Sequence, residues 1–307
     1  MEASVSLKKV GKVLNGRSVL AGLSFGIERG SIMAVVGPND SGKSALLKTI
    51  AGFSKPEYGS VFIDGKDVQL RRIETASVVG YMPQRANFDS QLTIFENLQF
   101  HGRLYHMVPQ LLNSRIASLS DRLGFREFIH DFPHTLSSGY QQRALLARTF
   151  LPDPHVLLIE EPTASLDLRA QYEVWDFLQE MRGSKTIIYT TQSIREAERV
   201  HDRLVIMDHG KVALDGKLDR LLENAGELFH FQIHFKKLSK ELYDNMSKVT
   251  TVVSPSQVGE VFDFYARERE VFFDIMKLAI QEELVDYAAD KVGLETLIMT
   301  STEEPIS

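Results

Sequence analysis

The stretch Gly37-Pro38-Asn39-Asp40-Ser41-Gly42-Lys43-Ser44 constrains this chain more than any other. It follows the apolar run Ile32 to Val36 and opens the helix-like run Ala45-Leu46-Leu47-Lys48-Thr49-Ile50. Strand, glycine-rich loop and helix in that order satisfy the pattern G-x-x-x-x-G-K-[ST] in the context it requires. Such a loop wraps backbone N–H groups around nucleotide phosphates at the positive end of a helix. Gly37, Asn39, Asp40, Ser41, Gly42, Lys43 and Ser44 are therefore the expected phosphate contacts, with Lys43 reaching the β and γ oxygens and the Ser44 hydroxyl on Mg²⁺. A chance glycine-rich turn would need four fixed residues and both flanking elements to coincide.

A second anchor is the apolar run His155-Val156-Leu157-Leu158-Ile159, which ends in Glu160-Glu161-Pro162. Carboxylates at the C-terminal edge of a buried strand supply a metal-directed oxygen and a base beside an attacking water. The competing reading is a pair of acids stabilised by a helix N-terminus. A phosphate loop in the same sheet makes that the minor reading.

The rest of the chain supports an α/β fold. Val19 to Ile27, Ser31 to Val36, Ser60 to Ile63 and Val78 to Tyr81 read as strands, and Ser44 to Phe53 as a helix. From Leu92 to Phe150 the pattern is helical, with turn clusters near Pro109, Gly124 and Pro133. Strands return at His155 to Ile159, Thr186 to Thr190 and Leu204 to Met207, with helices over Arg169 to Met181 and Ile194 to Val200. Buried strands alternating with helices predict a parallel sheet covered on both faces. Near residue 226 the pattern changes. Phe229, Phe231, Ile233 and Phe235 alternate with His230, Gln232 and His234, as in a half-buried strand. A helix at Ser239 to Met246, strands at Lys248 to Val253 and Val261 to Ala266, a helix over Glu270 to Ala289 and a strand Leu294 to Thr300 complete a small α/β unit of ferredoxin-like order. His230 and His234 share a strand face without a third ligand, so solvent-facing histidines outweigh a metal pair.

Composition narrows the function. The 307 residues are 43% hydrophobic and 25% charged, enough for one large domain or one of ordinary size plus a small one. With no cysteine, disulfides, thiolate metal centres and cysteine nucleophiles are excluded. A formal charge of −6 argues against a nucleic-acid-coating surface, and no nucleic acid is expected as partner. Met1-Glu2-Ala3-Ser4-Val5-Ser6 lacks the basic, apolar pattern of a leader, and no apolar run approaches a bilayer span. A cytoplasmic protein is expected, with any membrane role delegated to a partner.

Further motifs carry a family resemblance. Gln84 lies in Val79-Gly80-Tyr81-Met82-Pro83-Gln84, Leu136-Ser137-Ser138-Gly139-Tyr140-Gln141-Gln142-Arg143 resembles a signature motif, and Ser165-Leu166-Asp167 resembles a D-loop. In this order, over residues 5 to 225, they resemble the ATP-binding subunit of an ABC transporter. Leu92-Thr93-Ile94-Phe95-Glu96-Asn97-Leu98 and His101-Gly102-Arg103-Leu104-Tyr105 are similar to the branch that drives export permeases. The resemblance implies a P-loop NTPase of the ABC type in residues 1–226, with a helical subdomain at about 90–150 and an accessory α/β domain over 227–307. It implies ATP and Mg²⁺ as cofactors, Glu161, Gln84 and Gln192 as the catalytic set, and Ser44, Gln84 and Glu160 toward the metal. Ser137 and Gly139 would meet the γ-phosphate across a homodimer, or a heterodimer with another ABC ATPase subunit. Ser138-x-x-Gln141 would cap the helix Gln141 to Leu151 at the same time. An integral membrane permease, docked near Gln84 and Gln91 to Leu98, would hold the chain peripherally on the cytoplasmic face.

Several positions depart from the family pattern. Ser138 and Tyr140 replace a Gly and a Gln of the signature, Leu14 lies where an adenine-stacking aromatic is expected, and Asp40 replaces the middle Gly of the loop. Asp tolerates the left-handed backbone, so the loop survives. Glu160 stands for the Walker B Asp and Gln192 for the switch His. Gln can hydrogen-bond a phosphate but cannot carry positive charge. Losing one positioned catalytic group costs about 10²- to 10³-fold in rate, so slow hydrolysis, or reliance on a more typical partner subunit, is expected. The competing functions are a non-transport ABC ATPase, which needs a long coiled coil or two ATPase domains not found here, and a nucleotide-dependent regulatory subunit. For the unit after 226, a packing appendage that enlarges the dimer interface outweighs a ligand-sensing domain.

Overall fold

The computed structural model describes residues 3–199, 201–218, 220–221, 229–249, 252–266, 270–280 and 284–291. These fall into two compact units, divided between Lys217 and Leu218. The boundary expected at 226 lies on residues 222–228, outside those described.

In the first unit, the apolar run of the phosphate loop becomes β3 (Ile32–Val36), buried at every residue, as are β7 (Val156–Glu160) and β8 (Thr186–Thr191). Strands covered on both faces read as continuous apolar runs. With β6 (Val79–Met82), β9 (Arg203–Asp208) and β10 (Lys211–Gly216) they form a six-stranded sheet ordered β10-β9-β3-β8-β7-β6. Its pairs are parallel except β10 against β9. Val36 pairs with Thr191, Glu160 with Thr190 and Met82 with Ile159. The register thus delivers the chain after β3, β6, β7 and β8 to one carboxyl edge, where an open parallel sheet places its ligand.

The remaining strands of the first third are not part of that sheet, which corrects the single parallel sheet expected. β1 (Ala3–Leu14), β2 (Arg17–Glu28), β4 (Tyr58–Ile63) and the short β5 (Lys66–Asp67) form an antiparallel sheet ordered β2-β1-β4-β5. Alternating burial along β4 and over Leu23, Phe25 and Ile27 of β2 marks one covered face, whereas a parallel α/β sheet covers both. Helix α1 (Lys43–Ile50) buries Leu46, Leu47 and Ile50 in the core shared by the two sheets, among Val5, Leu7, Val61, Val35 and Leu158.

After the short α2 (Arg72–Ala76), the helical stretch comprises α3 (Ile94–Leu104), α4 (Pro109–Arg122) and α5 (Ser138–Phe150). Thr93 and Glu96 close a reciprocal capping box on α3, and Pro109 occupies the first turn of α4, where its missing N–H is harmless. Helix α5 starts earlier than expected. Ser137, not Ser138, is its N-cap and accepts from the Tyr140 amide at 3.4 Å, while Gln141 donates back to the Pro133 carbonyl at 2.9 Å. Helices α6 (Leu168–Glu180), capped by Asp167, and α7 (Ile194–Ala197) follow β7 and β8.

The second unit runs β11 (Phe229–Phe235), α8 (Lys240–Ser247), β12 (Val252–Val258), β13 (Val261–Ala266), α9 (Glu270–Ala279) and β14 (Leu284–Lys291). Its antiparallel sheet is ordered β12-β13-β11-β14, the split βαββαβ arrangement. Phe231, Ile233, Phe262, Phe264, Met246 and Ile275 fill one core. On the other face His230 Nε2 lies 2.9 Å from Asp263 and its ring stacks on Tyr265. The helix expected over Glu270 to Ala289 ends at Ala279, and Leu284–Lys291 pairs along β11 instead. An Ala-containing segment accepts either state, and the free edge of β11 decides in favour of strand. β12 begins later than expected because Lys248 closes α8. The strand expected at Leu294 to Thr300 lies outside the described residues.

Candidate nucleotide-binding and catalytic site

The phosphate loop is built on two close backbone approaches. A Cβ at Gly37 would lie 2.3 Å from the Met207 carbonyl oxygen, and one at Gly42 would lie 2.4 Å from that of Val19. Gly42 also has φ 102°, and as N-cap of α1 it turns the chain into the helix. Asp40 adopts φ 60°, in the left-handed region that Asp tolerates. The hydroxyl of Ser41 is buried and has no protein partner, a polar atom aimed within the loop and unanswered by it.

Lys43 is 8% exposed and donates to the carbonyls of Gly37 at 2.6 Å and Pro38 at 2.7 Å. Burial lowers its pKa, while the charges of Glu161 and Asp40 oppose that shift. Ser44 donates to Glu160 Oε2 at 2.9 Å, and the Tyr81 hydroxyl donates to the other oxygen of the same carboxylate. Glu160 itself is buried.

Glu161 leaves the sheet with φ 47°, uncommon for a residue with a side chain and the kind of strain found at functional positions. Its amide donates to the Thr190 carbonyl at 3.0 Å, and its carbonyl accepts from Gln142 Nε2 of α5 at 2.9 Å. Burial pushes the Glu161 carboxyl up to about 7. Lys43 pulls it down, Glu196 pushes it further up, and hydrogen bonds from the Gln192 backbone and side chain favour the charged form. Glu196 is held by the hydroxyls of Thr163 and Thr191, the latter at 2.6 Å.

Asn39, Asp40, Ser41, Gly42, Lys43, Ser44, Gln84, Glu161 and Gln192 line one cleft of about 1000 Å³. Gly37 and Glu160 lie under its floor, bonded to Lys43 and Ser44. Leu14 and Arg17 line the cleft as well. Ser137 and Gly139 do not: they stand at the N-terminus of α5, away from the cleft lining. Tyr81 and Glu196 were missed by sequence reasoning. Tyr81 was absorbed into a strand pattern, and Glu196 follows β8 with no motif to mark it.

The sequence model of the family described as ABC transporter matches residues 20–164. The Nod factor export ATP-binding protein I of Rhizobium sp. (strain N33) is 33% identical over 224 residues, which are 72% of this chain and 73% of that protein. The chain belongs to the ABC transporter ATP-binding subunits. The daunorubicin resistance ATP-binding protein DrrA3 of Streptomyces coeruleorubidus is 29% identical over 73% of this chain and 72% of its own. Among solved structures, a dimeric ATP-binding cassette in a post-hydrolysis state with ADP and Pi superposes with TM-score 0.65 at 27% identity, covering 70% of this chain and 98% of that one. An ATP-binding subunit of an ABC transporter gives TM-score 0.67 at 25% identity, covering 72% and 92%. This ABC subunit is accordingly an ATP-binding protein and an ATPase of the ABC type, with the P-loop fold of that family. Among the described residues no helix is long and apolar enough to cross a membrane.

Proposed function

We propose that this ABC subunit hydrolyses Mg-ATP slowly and drives a separate membrane permease for export, sitting on the cytoplasmic face through that permease. The export direction rests on relatives named for Nod factor export and daunorubicin resistance. The observation that carries the catalytic reading is the meeting of Lys43, Ser44, Gln84, Glu161 and Gln192 in one cleft, with Glu160 hydrogen-bonded beneath Ser44.

In this reading the backbone N–H groups of residues 39–44 hold the phosphates, and Lys43 exchanges the Gly37 and Pro38 carbonyls for β and γ oxygens. Ser44, Glu160 and Gln84 offer oxygen donors of the kind Mg²⁺ takes, and Ser44 and Glu160 are already adjacent. Bound there, the metal would neutralise charge on the β and γ phosphates. Glu161 takes the proton from the attacking water, and Gln192 orients it. Ser137 and Gly139 stand outside the cleft, which supports a second ATPase subunit, the same or different, whose cleft they would complete. The unit after residue 226 is an accessory domain, tested by truncation after Ala225 and measurement of dimerisation.

The test is steady-state ATPase activity of the purified chain beside Gln192→His and Glu160→Asp. The expected result is slow turnover that rises at least several-fold with either change. Brisk wild-type turnover unaltered by both would overturn the slow-site reading.

A further inference from the structure

Glu160 presents a chemical problem that its neighbours solve. It is the last residue of β7, 4% exposed, and one methylene longer than an aspartate. A buried carboxylate needs its oxygens satisfied, and an additional side-chain torsion lets it turn away from any ligand it should hold. Here each oxygen has its own donor. Oε2 accepts from Ser44 at 2.9 Å, and Oε1 accepts from Tyr81 on the adjacent strand β6. The Tyr81 ring is braced edge-on by Phe53, with centroids 5.0 Å apart and planes at 83°.

The two donors differ in what they leave behind. Both are neutral hydroxyls, so they fix the carboxylate without cancelling its charge, which stays available to a cation. Tyr81 occupies Oε1, which leaves Oε2 as the oxygen bonded to Ser44, a residue that lines the cleft. A side chain shortened to aspartate would retract by more than a bond length and could not span from Ser44 to Tyr81.

We infer that Tyr81 is a positioning residue for Mg²⁺: by holding Oε1 of Glu160, it keeps the longer carboxylate able to bind the metal, though not to support the rate that a shorter carboxylate would. The inference rests on the reading of Glu160 as part of the magnesium shell. Tyr81 touches neither nucleotide nor metal in this scheme and acts through Glu160 alone.

The experiment measures binding of a fluorescent ATP analogue to the full chain across a Mg²⁺ titration, for wild type, Tyr81→Phe, Glu160→Gln, Glu160→Asp and the Tyr81→Phe/Glu160→Asp double variant. Tyr81→Phe is expected to raise the Mg²⁺ concentration for half-maximal binding by about 10- to 100-fold, the usual cost of losing a partner of a metal ligand. Magnesium-free binding should stay at wild-type values, while the melting temperature falls by a few degrees because Oε1 of the buried carboxylate loses its donor. In the Glu160→Asp background the same change should cost less than about threefold, since no hydroxyl contact is left to lose. If Glu160→Gln leaves the Mg²⁺ requirement unchanged, the underlying reading of Glu160 fails. If Glu160→Gln raises it while Tyr81→Phe does not, the positioning role alone is overturned. An equal effect of Tyr81→Phe in both backgrounds, or a loss of magnesium-free binding, also overturns it.

Discussion

Gln192 lies beside Glu161 in the same cleft, and its backbone and side chain both favour the charged carboxylate, so the proposed base is steadied by a neutral amide. A cation there would favour the carboxylate strongly; an amide favours it weakly, and burial leaves the carboxyl at about 7.

Hydrolysis is therefore expected to depend on pH near neutrality. Glu161 accepts a proton only when ionised, so kcat should fall as pH drops below about 7 and level off above it. In Gln192→His the protonated imidazole should move this limb to lower pH. Glu161→Gln should lose about 10²- to 10⁴-fold in kcat while keeping ATP binding. A pH-rate profile of the three proteins under saturating ATP checks this.

Replacing Gly42 by Ala should abolish nucleotide binding. The new Cβ would meet the Val19 carbonyl at 2.4 Å in a backbone at φ 102°, and neither can relax without moving the loop. The same replacement at Gly16, φ 77° but with open space around it, should cost about 1 kcal/mol and leave binding intact. Calorimetric ATP binding with thermal melts separates the two.

Ser137→Ala should separate binding from turnover. The residue caps α5 but does not line the cleft, so single-chain ATP affinity should stay within about twofold while ATPase activity falls at least about tenfold. Equal losses in both would place Ser137 at the protomer's own nucleotide instead.

Acid sensitivity should trace in part to His101 of α3. Burial first, then the charge of Arg148, hold its pKa down at about 4, below the unfolded value of about 6.5. Between those values the unfolded chain binds a proton that the folded chain refuses, so stability is lost as pH falls from about 6.5 toward 4. Above about 6.5 the residue contributes no pH dependence. Melting temperatures of His101→Gln should decline less over that window than those of wild type.

The sequence made the phosphate loop, the paired carboxylates and the sheet that carries them legible because each depends on short, fixed spacing around a continuous apolar strand. Glu161 was legible for the same reason, at the end of an apolar strand, whereas Gln84 and Gln192 were placed by the family resemblance. What could not be read was pairing at long range. Val5 lies beside Ile63, and Tyr81 reaches Glu160 across 79 residues. No local pattern encodes either. The helix ending at Ala279 failed differently, since its continuation into 284–291 is decided by the edge of β11 rather than by its own propensity. The shift of the α5 cap from Ser138 to Ser137 is a one-residue ambiguity inherent in two consecutive serines.

The Lys43 ammonium is already bonded to two carbonyls of its own loop before any nucleotide arrives. An incoming ligand must therefore compete with the protein's backbone for that cation. A phosphate group returns oxygens that carry full negative charge, so each bond the ammonium gives up to a neutral carbonyl is replaced by a stronger, charge-assisted one. The loop thus keeps its cation satisfied by its own backbone and gives it up only to a partner of opposite charge.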